Sequence, residues 1–279
     1  MSMMDPSADK KRSAWFVNFG AKQTNSALTK PPTLRLFCFP FAGGSAAIYK
    51  DWAKFFGADN EVEVCAVQLP GRGARMNEPL IDNSDLLIAQ LLTEITPLLD
   101  VPYVFFGHSM GAHVAWELTR ALREAKRPQP KLLIVSGRAA PQVKRKYDPI
   151  HDLPEAEFIR EIGKLKGTPE EVLRNPELME IVSPILRADF KIIETWQYRS
   201  QTPLRMPIVA LRGERDKGVN QAANSAWQEQ TSIELIEREL PGGHFFIVAA
   251  QQLVLAEVKN ALNQFILKPK INPRVTALI

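Results

Sequence analysis

The chain has 279 residues, of which 45% are hydrophobic and 24% charged, and this composition is typical of a globular protein with one large core. The formal net charge of +4 is concentrated at the two ends, because residues 1–30 carry five basic and two acidic side chains and residues 266–279 carry three basic ones. Basic ends on a nearly neutral body argue against a nucleic-acid-binding groove and predict two solvated tails, an N-terminal extension over 1–30 and a C-terminal tail over 266–279, around one domain at 31–265.

Strand and helix patterns alternate along the chain. Runs rich in apolar, β-branched or aromatic residues predict strands over 34–39, 62–68, 103–107, 131–136, 206–212 and 232–240. Helical periodicity predicts helices near 45–57, 84–99, 110–126 and 245–264. This alternation predicts an α/β fold with a mostly parallel, twisted sheet and helices on both faces. The loops after the strands are expected to meet at one rim, where such sheets place their ligands.

The loop after the first predicted strand reads Pro-Phe-Ala-Gly-Gly-Ser at 40–45. By itself, a Gly-Gly pair indicates only a flexible turn. In a hydrolase with a serine nucleophile, however, the loop after an early strand supplies one of the two backbone amides that stabilise the negative charge of the tetrahedral intermediate. If such a nucleophile follows in the chain, the backbone amide of Ala42 is the predicted donor.

A candidate nucleophile follows the third predicted strand, where Gly-His-Ser-Met-Gly occupies 107–111. A Gly-x-Ser-x-Gly sequence between a buried strand and a helix is typical of a nucleophile elbow, in which the serine has a strained backbone and an exposed hydroxyl. The flanking glycines leave room for the strand and the helix to approach each other. We therefore predict that Ser109 is the nucleophile and that the backbone amide of Met110 is the second oxyanion donor; the alternative is a chance pentapeptide in a turn.

The stretch from about 138 to 200 interrupts the alternation, because it has helical patterns and no convincing strand. Pro154 and Pro176, each followed by acidic residues, are typical of helix starts. The sequence therefore predicts a helical insertion before the fifth predicted strand. Within it, Arg187 and Asp189 are expected to form a structural ion pair rather than to contact a substrate.

The last two predicted strands are followed by the acid and the base that a serine nucleophile needs, in the chain order Ser, Asp, His. Asp216 lies in the loop after the fifth strand, and we prefer it to Glu214 and Glu239 because it lies deeper in the loop. His244 comes after a proline and two glycines that follow the last strand, which is where an α/β-hydrolase carries its general base.

The other histidines and both cysteines have structural explanations. His108 and His113 flank the candidate nucleophile and are expected to pack or hydrogen-bond locally, while His151 lies in a Pro-rich loop. Cys38 and Cys65 fall in apolar runs and are expected to be buried thiols in a reducing cytoplasm. The sequence shows no membrane span, signal peptide, metal-ligand spacing, phosphate-binding loop or dinucleotide fingerprint, so we expect no membrane association, metal or cofactor.

Several segments in the same order resemble the type II thioesterases that accompany nonribosomal peptide and polyketide synthases, and the related medium-chain thioesterase of fatty acid synthesis. The likeness spans nearly the whole chain, and only the N-terminal extension and the basic C-terminal tail depart from the family's pattern. Besides the elbow, the segments that carry the resemblance are Phe39–Ser45, Gln68–Gly73, Gly167–Glu170, Leu186–Phe190 and Pro241–Phe246.

The resemblance implies an α/β-hydrolase fold with a triad of Ser109, Asp216 and His244. It also implies that the insertion at 138–200 is a lid whose apolar face lines an acyl channel; helices that simply pack on the body are the alternative. The implied substrate is an acyl group on the phosphopantetheine arm of an acyl- or peptidyl-carrier protein. The implied role is to clear stalled or mis-primed acyl groups from a synthase, and the family further implies a monomer.

Two other functions fit the same residues. A carboxylesterase or lipase acting on small free esters would use the same triad, since fold does not determine substrate. A non-catalytic binding protein with this fold is a third hypothesis, which the complete Ser, Asp and His set disfavours. The starting methionine favours a stand-alone protein over a releasing domain of a synthase.

Overall fold

The computed structural model describes residues 13–19, 32–57 and 61–267. Their strands form a seven-stranded sheet in the order β1-β3-β2-β4-β5-β6-β7, in which β1 is antiparallel to β3 and all other pairs are parallel. The six strands that the sequence predicts are confirmed, with ends shifted by up to three residues, and β1 is additional. The strands are β1 Phe16–Val17, β2 Leu34–Phe39, β3 Val62–Val67, β4 Tyr103–His108, β5 Leu133–Ser136, β6 Ile208–Gly213 and β7 Leu235–Leu240.

Helices cover both faces of the sheet, as the alternation of patterns predicts. One apolar cluster joins Phe37 and Phe105 of the sheet to helices α2 and α3, and the other joins Phe106 to α1 and α9. Successive strand residues point to opposite faces, so each buried parallel strand contributes to both clusters. The helices are α1 Lys50–Phe56, α2 Ser84–Ile95, α3 Met110–Glu124, α4 Glu155–Leu165, α5 Glu170–Leu173, α6 Pro176–Thr195, α7 Gln221–Ser225, α8 Phe246–Ala249 and α9 Gln251–Leu262.

Helices α4, α5 and α6 make up the insertion between β5 and β6. Helix α4 begins directly after Pro154 and α6 begins at Pro176, which confirms both predicted starts. The three helices share an apolar cluster of their own, built around Phe158 and Met179. A cleft of about 530 Å³ opens among them, and its lining does not include any of the predicted catalytic residues.

The predicted ion pair between Arg187 and Asp189 is wrong. The two residues lie two positions apart on α6, and side chains at that spacing point to different sides of a helix. The Arg187 guanidinium instead contacts the Glu155 carboxylate at 2.7 Å. Asp189 faces the body of the protein and pairs with Arg72 at 2.5 Å.

The N-terminal extension is not a solvated tail where the structure describes it. Trp15 is buried, the Arg75 guanidinium lies 4.1 Å from the centre of its ring, and the two residues of β1 pair with β3. The expectation of a solvated tail is therefore wrong for residues 13–19. Removing the apolar surface of Trp15 from water favours packing of this segment on the body of the protein. The rest of 1–30, and residues 268–279 of the basic tail, lie outside the described residues, and the domain boundaries stay a prediction.

Cys38 and Cys65 are buried and unpaired, as predicted. Burial raises the pKa of both thiols well above the usual value, because the charged thiolate is poorly solvated in the core. None of the helices in the described ranges is long and apolar enough to cross a membrane.

Candidate active site

Ser109 occupies a strained turn between β4 and α3. Its backbone has φ 54° and ψ −114°, a conformation that residues with a side chain rarely adopt and that is typical of functional sites. The strand and helix meet so closely that a Cβ at Gly107 would overlap the carbonyl of Gly111, and a Cβ at Gly111 would overlap the carbonyl of Phe39. The predicted elbow geometry, with glycines required on both sides of the serine, is confirmed.

His244 lies between Ser109 and Asp216. Its Nε2 is 2.9 Å from the Ser109 hydroxyl oxygen, and its Nδ1 is 2.8 Å from Oδ2 of Asp216. An imidazole that donates Nδ1–H to the carboxylate has Nε2 free to accept the hydroxyl proton. Asp216 is buried, and its other carboxylate oxygen accepts a hydrogen bond from the amide of Gly218 at 2.8 Å. This second bond orients the carboxylate toward the ring.

The two rival acids have other surroundings. Glu214 is exposed, and Glu239 forms an ion pair with Arg212 on the neighbouring strand. In the part of the chain that the structure describes, no hydrogen bond joins either carboxylate to His244. Asp216 reaches the ring because the loop after β6 folds back over the glycines before His244, where the amide of Arg215 donates to the carbonyl of Gly242 at 2.8 Å.

The predicted oxyanion donors lie on two segments that touch. Phe39 of β2 is in register with Gly107 of β4, so the loop that contains Ala42 begins beside the elbow. Met110 is the first residue of α3, where the helix dipole favours negative charge. Across residues 13–19, 32–57 and 61–267, neither the Ala42 nor the Met110 amide donates a hydrogen bond to a protein acceptor. The next amide along, that of Gly43, is already bonded to Asp189.

The other three histidines have local partners. His108 is fully buried, and its Nδ1 lies 2.9 Å from the Ser136 hydroxyl. His113 is also buried, with Nε2 3.1 Å from the Ser84 hydroxyl. Burial lowers the pKa of both rings well below the usual value, so both are neutral at pH 7. His151 is 2.7 Å from the Glu194 carboxylate on α6. The prediction that His108 and His113 bond locally is confirmed.

The insertion contacts the loops of the site at two points. A Cβ added to Gly43 would lie 2.6 Å from Cδ2 of Leu186 on α6, so this helix packs directly against the loop that contains Ala42. Gly167, in the turn between α4 and α5, packs against the ring of Phe245 beside His244. No sequence pattern identified these contacts, because they join segments that are far apart in the chain.

Arg72 and Asp189 are further residues at the site to which the sequence analysis gave no role in catalysis. Both belong to segments that carry the resemblance, but neither segment by itself indicates that the two side chains meet.

In the described ranges, no group of three or more His, Cys, Asp or Glu side chains is arranged to hold a metal ion.

Known proteins are similar to this chain over most of its length. The thioesterase domain family matches residues 34–262. The gramicidin S biosynthesis protein GrsT of Aneurinibacillus migulanus is 41% identical over 257 residues, which cover 92% of this chain and 96% of that protein. The structure of BorB, a type II thioesterase from the borrelidin biosynthetic cluster, is 33% identical with a TM-score of 0.78, covering 89% of this chain and 97% of that one. ClbQ from the colibactin NRPS/PKS pathway is 31% identical with a TM-score of 0.78, covering 84% and 98%.

Proposed function

This chain belongs to the thioesterase domain family, and from that premise we propose that it is a serine thioesterase that removes acyl groups from carrier proteins. The acyl group is held as a thioester on the phosphopantetheine arm of an acyl- or peptidyl-carrier protein. Its hydrolysis clears stalled or mis-primed synthases of nonribosomal peptides or polyketides. The main support for the proposal is that His244 contacts both Ser109 and Asp216 through its two ring nitrogens. The names of GrsT, BorB and ClbQ, which refer to biosynthetic pathways, support the substrate class.

Acylation begins when the Ser109 oxygen attacks the thioester carbonyl carbon and His244 takes the hydroxyl proton. Asp216 holds the ring in the required tautomer and stabilises the imidazolium that forms. The tetrahedral intermediate collapses, the carbon–sulfur bond breaks, and the thiol of the phosphopantetheine arm leaves with the proton from His244. The product of this half-reaction is an acyl ester on Ser109.

Deacylation repeats the sequence with water. His244 takes a proton from a water molecule, whose oxygen attacks the ester carbonyl. Collapse of the second tetrahedral intermediate breaks the bond to the Ser109 oxygen, which regains its proton from His244, and the free acid leaves. In both halves the negative charge on the carbonyl oxygen rests on the amides of Ala42 and Met110. Their lack of a protein acceptor in the described structure supports this role.

We propose that residues 138–200 act as a lid over the acyl group. The contacts of Leu186 with Gly43 and of Gly167 with Phe245 support this role, since Gly43 adjoins Ala42 and Phe245 adjoins His244 in the chain. A cover of this kind shields the acyl group from bulk solvent.

We further propose that the enzyme works in the cytoplasm as a monomer. The buried, unpaired thiols of Cys38 and Cys65 fit a reducing compartment. All the residues of the proposed triad and oxyanion hole come from one chain, so catalysis needs no second copy.

A substrate panel tests the proposal. The purified protein is assayed with one acyl group presented as a carrier-bound thioester, as a free coenzyme A thioester and as a small oxygen ester. We expect the highest kcat/KM on the carrier-bound thioester, because only that substrate offers the enzyme a protein surface in addition to the acyl group and the arm. A preference for the oxygen ester would instead favour a carboxylesterase or lipase. Failure to hydrolyse any of the three would favour a binding protein.

A further inference from the structure

A buried ion pair connects the insertion to the loop of the proposed oxyanion hole. Arg72 follows β3 and Asp189 lies in the middle of α6, and both side chains are buried. The contact is bidentate, with Arg72 Nη1 2.5 Å from Oδ2 and Nη2 2.8 Å from Oδ1 of Asp189. Such a fork fixes the orientation of the carboxylate as well as its position.

The same carboxylate holds the loop after β2. The backbone amide of Gly43 donates a hydrogen bond to Oδ2 of Asp189 at 2.7 Å. Gly43 has φ 77°, in the left-handed region that glycine tolerates, so the chain turns there immediately after Ala42. The Asp189 carboxylate is buried and held in place by Arg72, so it offers a fixed acceptor that sets the position of this turn.

Gln68 ties the same loops together at a second point. Its amide oxygen accepts from the backbone of Ala46 at 3.2 Å, and its amide nitrogen donates to the carbonyl of Arg72 at 2.8 Å. The loop after β2 is thus held at Gly43 by the insertion and at Ala46 by the loop after β3. Asp189 is the contribution of the insertion to this network.

We infer that Asp189, oriented by Arg72, is a positioning residue that aims the Ala42 amide at the oxyanion by holding the neighbouring Gly43 amide. The inference rests on the proposed function, since it assumes that Ala42 is an oxyanion donor. Asp189 does not touch the substrate. Its effect on the rate comes through the peptide that joins Ala42 to Gly43, because a donor helps only when it points to where charge develops. Helix α6 therefore both covers the site and sets the geometry of the proposed oxyanion hole.

Two double variants separate the hydrogen bond to Gly43 from the ion pair. Arg72→Met with Asp189→Asn removes both charges but keeps an amide oxygen as acceptor for Gly43. Arg72→Met with Asp189→Leu also removes both charges. Its leucine is similar in size to asparagine but offers no acceptor for the Gly43 amide. Replacing both members of a buried ion pair avoids an uncompensated charge, so we expect both proteins to fold. Thermal unfolding and circular dichroism establish that they do.

The expected difference is in kcat. Loss of an oxyanion donor lowers kcat about 10²- to 10³-fold, so a donor that is only misdirected is expected to cost about tenfold or more. We expect that loss in the leucine double variant and a kcat within about threefold of wild type in the asparagine one, with KM for the carrier-bound thioester unchanged in both. Binding of a tetrahedral boronate inhibitor is expected to weaken in parallel with kcat.

Glu194 supplies a matched control for a purely structural role. It is a carboxylate on the same helix that accepts hydrogen bonds from the backbone amides of Ile150 and His151 instead of from the loop after β2. Glu194→Leu is expected to lower the melting temperature without a selective loss of kcat or of boronate binding.

Each result bears on one hypothesis. Equal kcat in the two double variants overturns the positioning role of Asp189, and the proposed function survives as long as Ser109→Ala is inactive. Full activity of Ser109→Ala overturns the proposed function itself. If the leucine double variant does not fold, Arg72→Met with Asp189→Ala replaces it, because alanine also lacks an acceptor for the Gly43 amide and needs no extra space. A several-fold lower kcat at constant KM then supports the inference, and an unchanged kcat overturns it.

Discussion

Nε2 of His244 lies 2.9 Å from the hydroxyl oxygen of Ser109, although 135 residues separate the two in the chain. Each residue ends up there for a local reason. Ser109 sits on the turn that follows the central strand β4, and His244 sits in the loop after the edge strand β7. The parallel sheet brings both loops to one rim.

Replacing Ser109 by alanine removes the proposed nucleophile. We expect kcat on a carrier-bound thioester to fall by at least about 10³-fold, because no acyl-serine can form. The elbow backbone is unaffected by loss of the hydroxyl, so the circular dichroism spectrum is expected to match wild type. A fluorophosphonate probe is expected to label the wild-type protein and not the variant. Equal labelling of both would place the nucleophile elsewhere.

Replacing Asp216 by asparagine tests the identity of the acid. An amide at this position favours the wrong tautomer of His244, and we expect kcat to fall about 10²- to 10⁴-fold. The matched controls are Glu214→Gln on the same loop and Glu239→Gln on strand β7, which change exposed carboxylates and are expected to stay within about twofold of wild type. A large loss in either control, with Asp216→Asn active, would reassign the acid.

Glycine at position 111 is required by close packing. An alanine there would push its Cβ into the carbonyl of Phe39, and we expect a loss of about 1–3 kcal/mol in the free energy of unfolding, measured by urea denaturation. A shift of the elbow also moves Ser109, so kcat is expected to fall about tenfold or more. Gly57→Ala is the control, because a Cβ there meets no atom within 4 Å among the described residues and the backbone is already right-handed. That variant is expected to be neutral or slightly more stable.

Buried neutral histidines make stability depend on pH. The pKa of His113 is lowered by burial, with Arg138 and Arg120 adding to the effect, so the folded protein binds a proton less readily than the unfolded chain. The contribution of the neutral histidine to the free energy of unfolding is therefore fully present above the unfolded pKa of about 6.5. It is lost as the pH falls below that value, by up to about 1.4 kcal/mol per pH unit for each such histidine. His108 acts in the same direction.

The variant His113→Gln isolates one of these contributions. Urea denaturation at several pH values between about 7.5 and 5 is expected to show a shallower loss of stability than in wild type. The pH-dependent contributions of titratable groups that both proteins share cancel in the comparison. Parallel curves would contradict a neutral, buried imidazole at this position.

The two thiols are expected to be inert in the folded protein. Cys38 and Cys65 are buried and their pKa values are raised, so little thiolate is present and reagents have no access. We expect a thiol reagent to react slowly with native protein and with two groups per chain after denaturation. Rapid reaction under native conditions would show that these strands open readily.

Motifs and periodicity predicted most of the fold. Six strands and the principal helices follow from apolar runs and periodicity, and the structure confirms them. The family follows from the resemblance of several segments in the same order, and the relatives confirm it. The short strand β1 was missed because two residues carry too little pattern, and its pairing depends on burial of Trp15. The catalytic roles of Ser109, Asp216 and His244 stay a prediction that the experiments above decide.

The sequence by itself determined the elements and the loops on which the chemistry lies, because backbone propensity, side-chain periodicity and turn-forming residues act over a few neighbouring positions. Only the tertiary structure decided which polar side chains meet. Arg187 and Asp189 are close in the chain but point apart, whereas Asp189 reaches Arg72 and Gly43 across more than a hundred residues. The direction of a side chain and the packing of one element on another are set by the folded chain as a whole, and no local pattern encodes them.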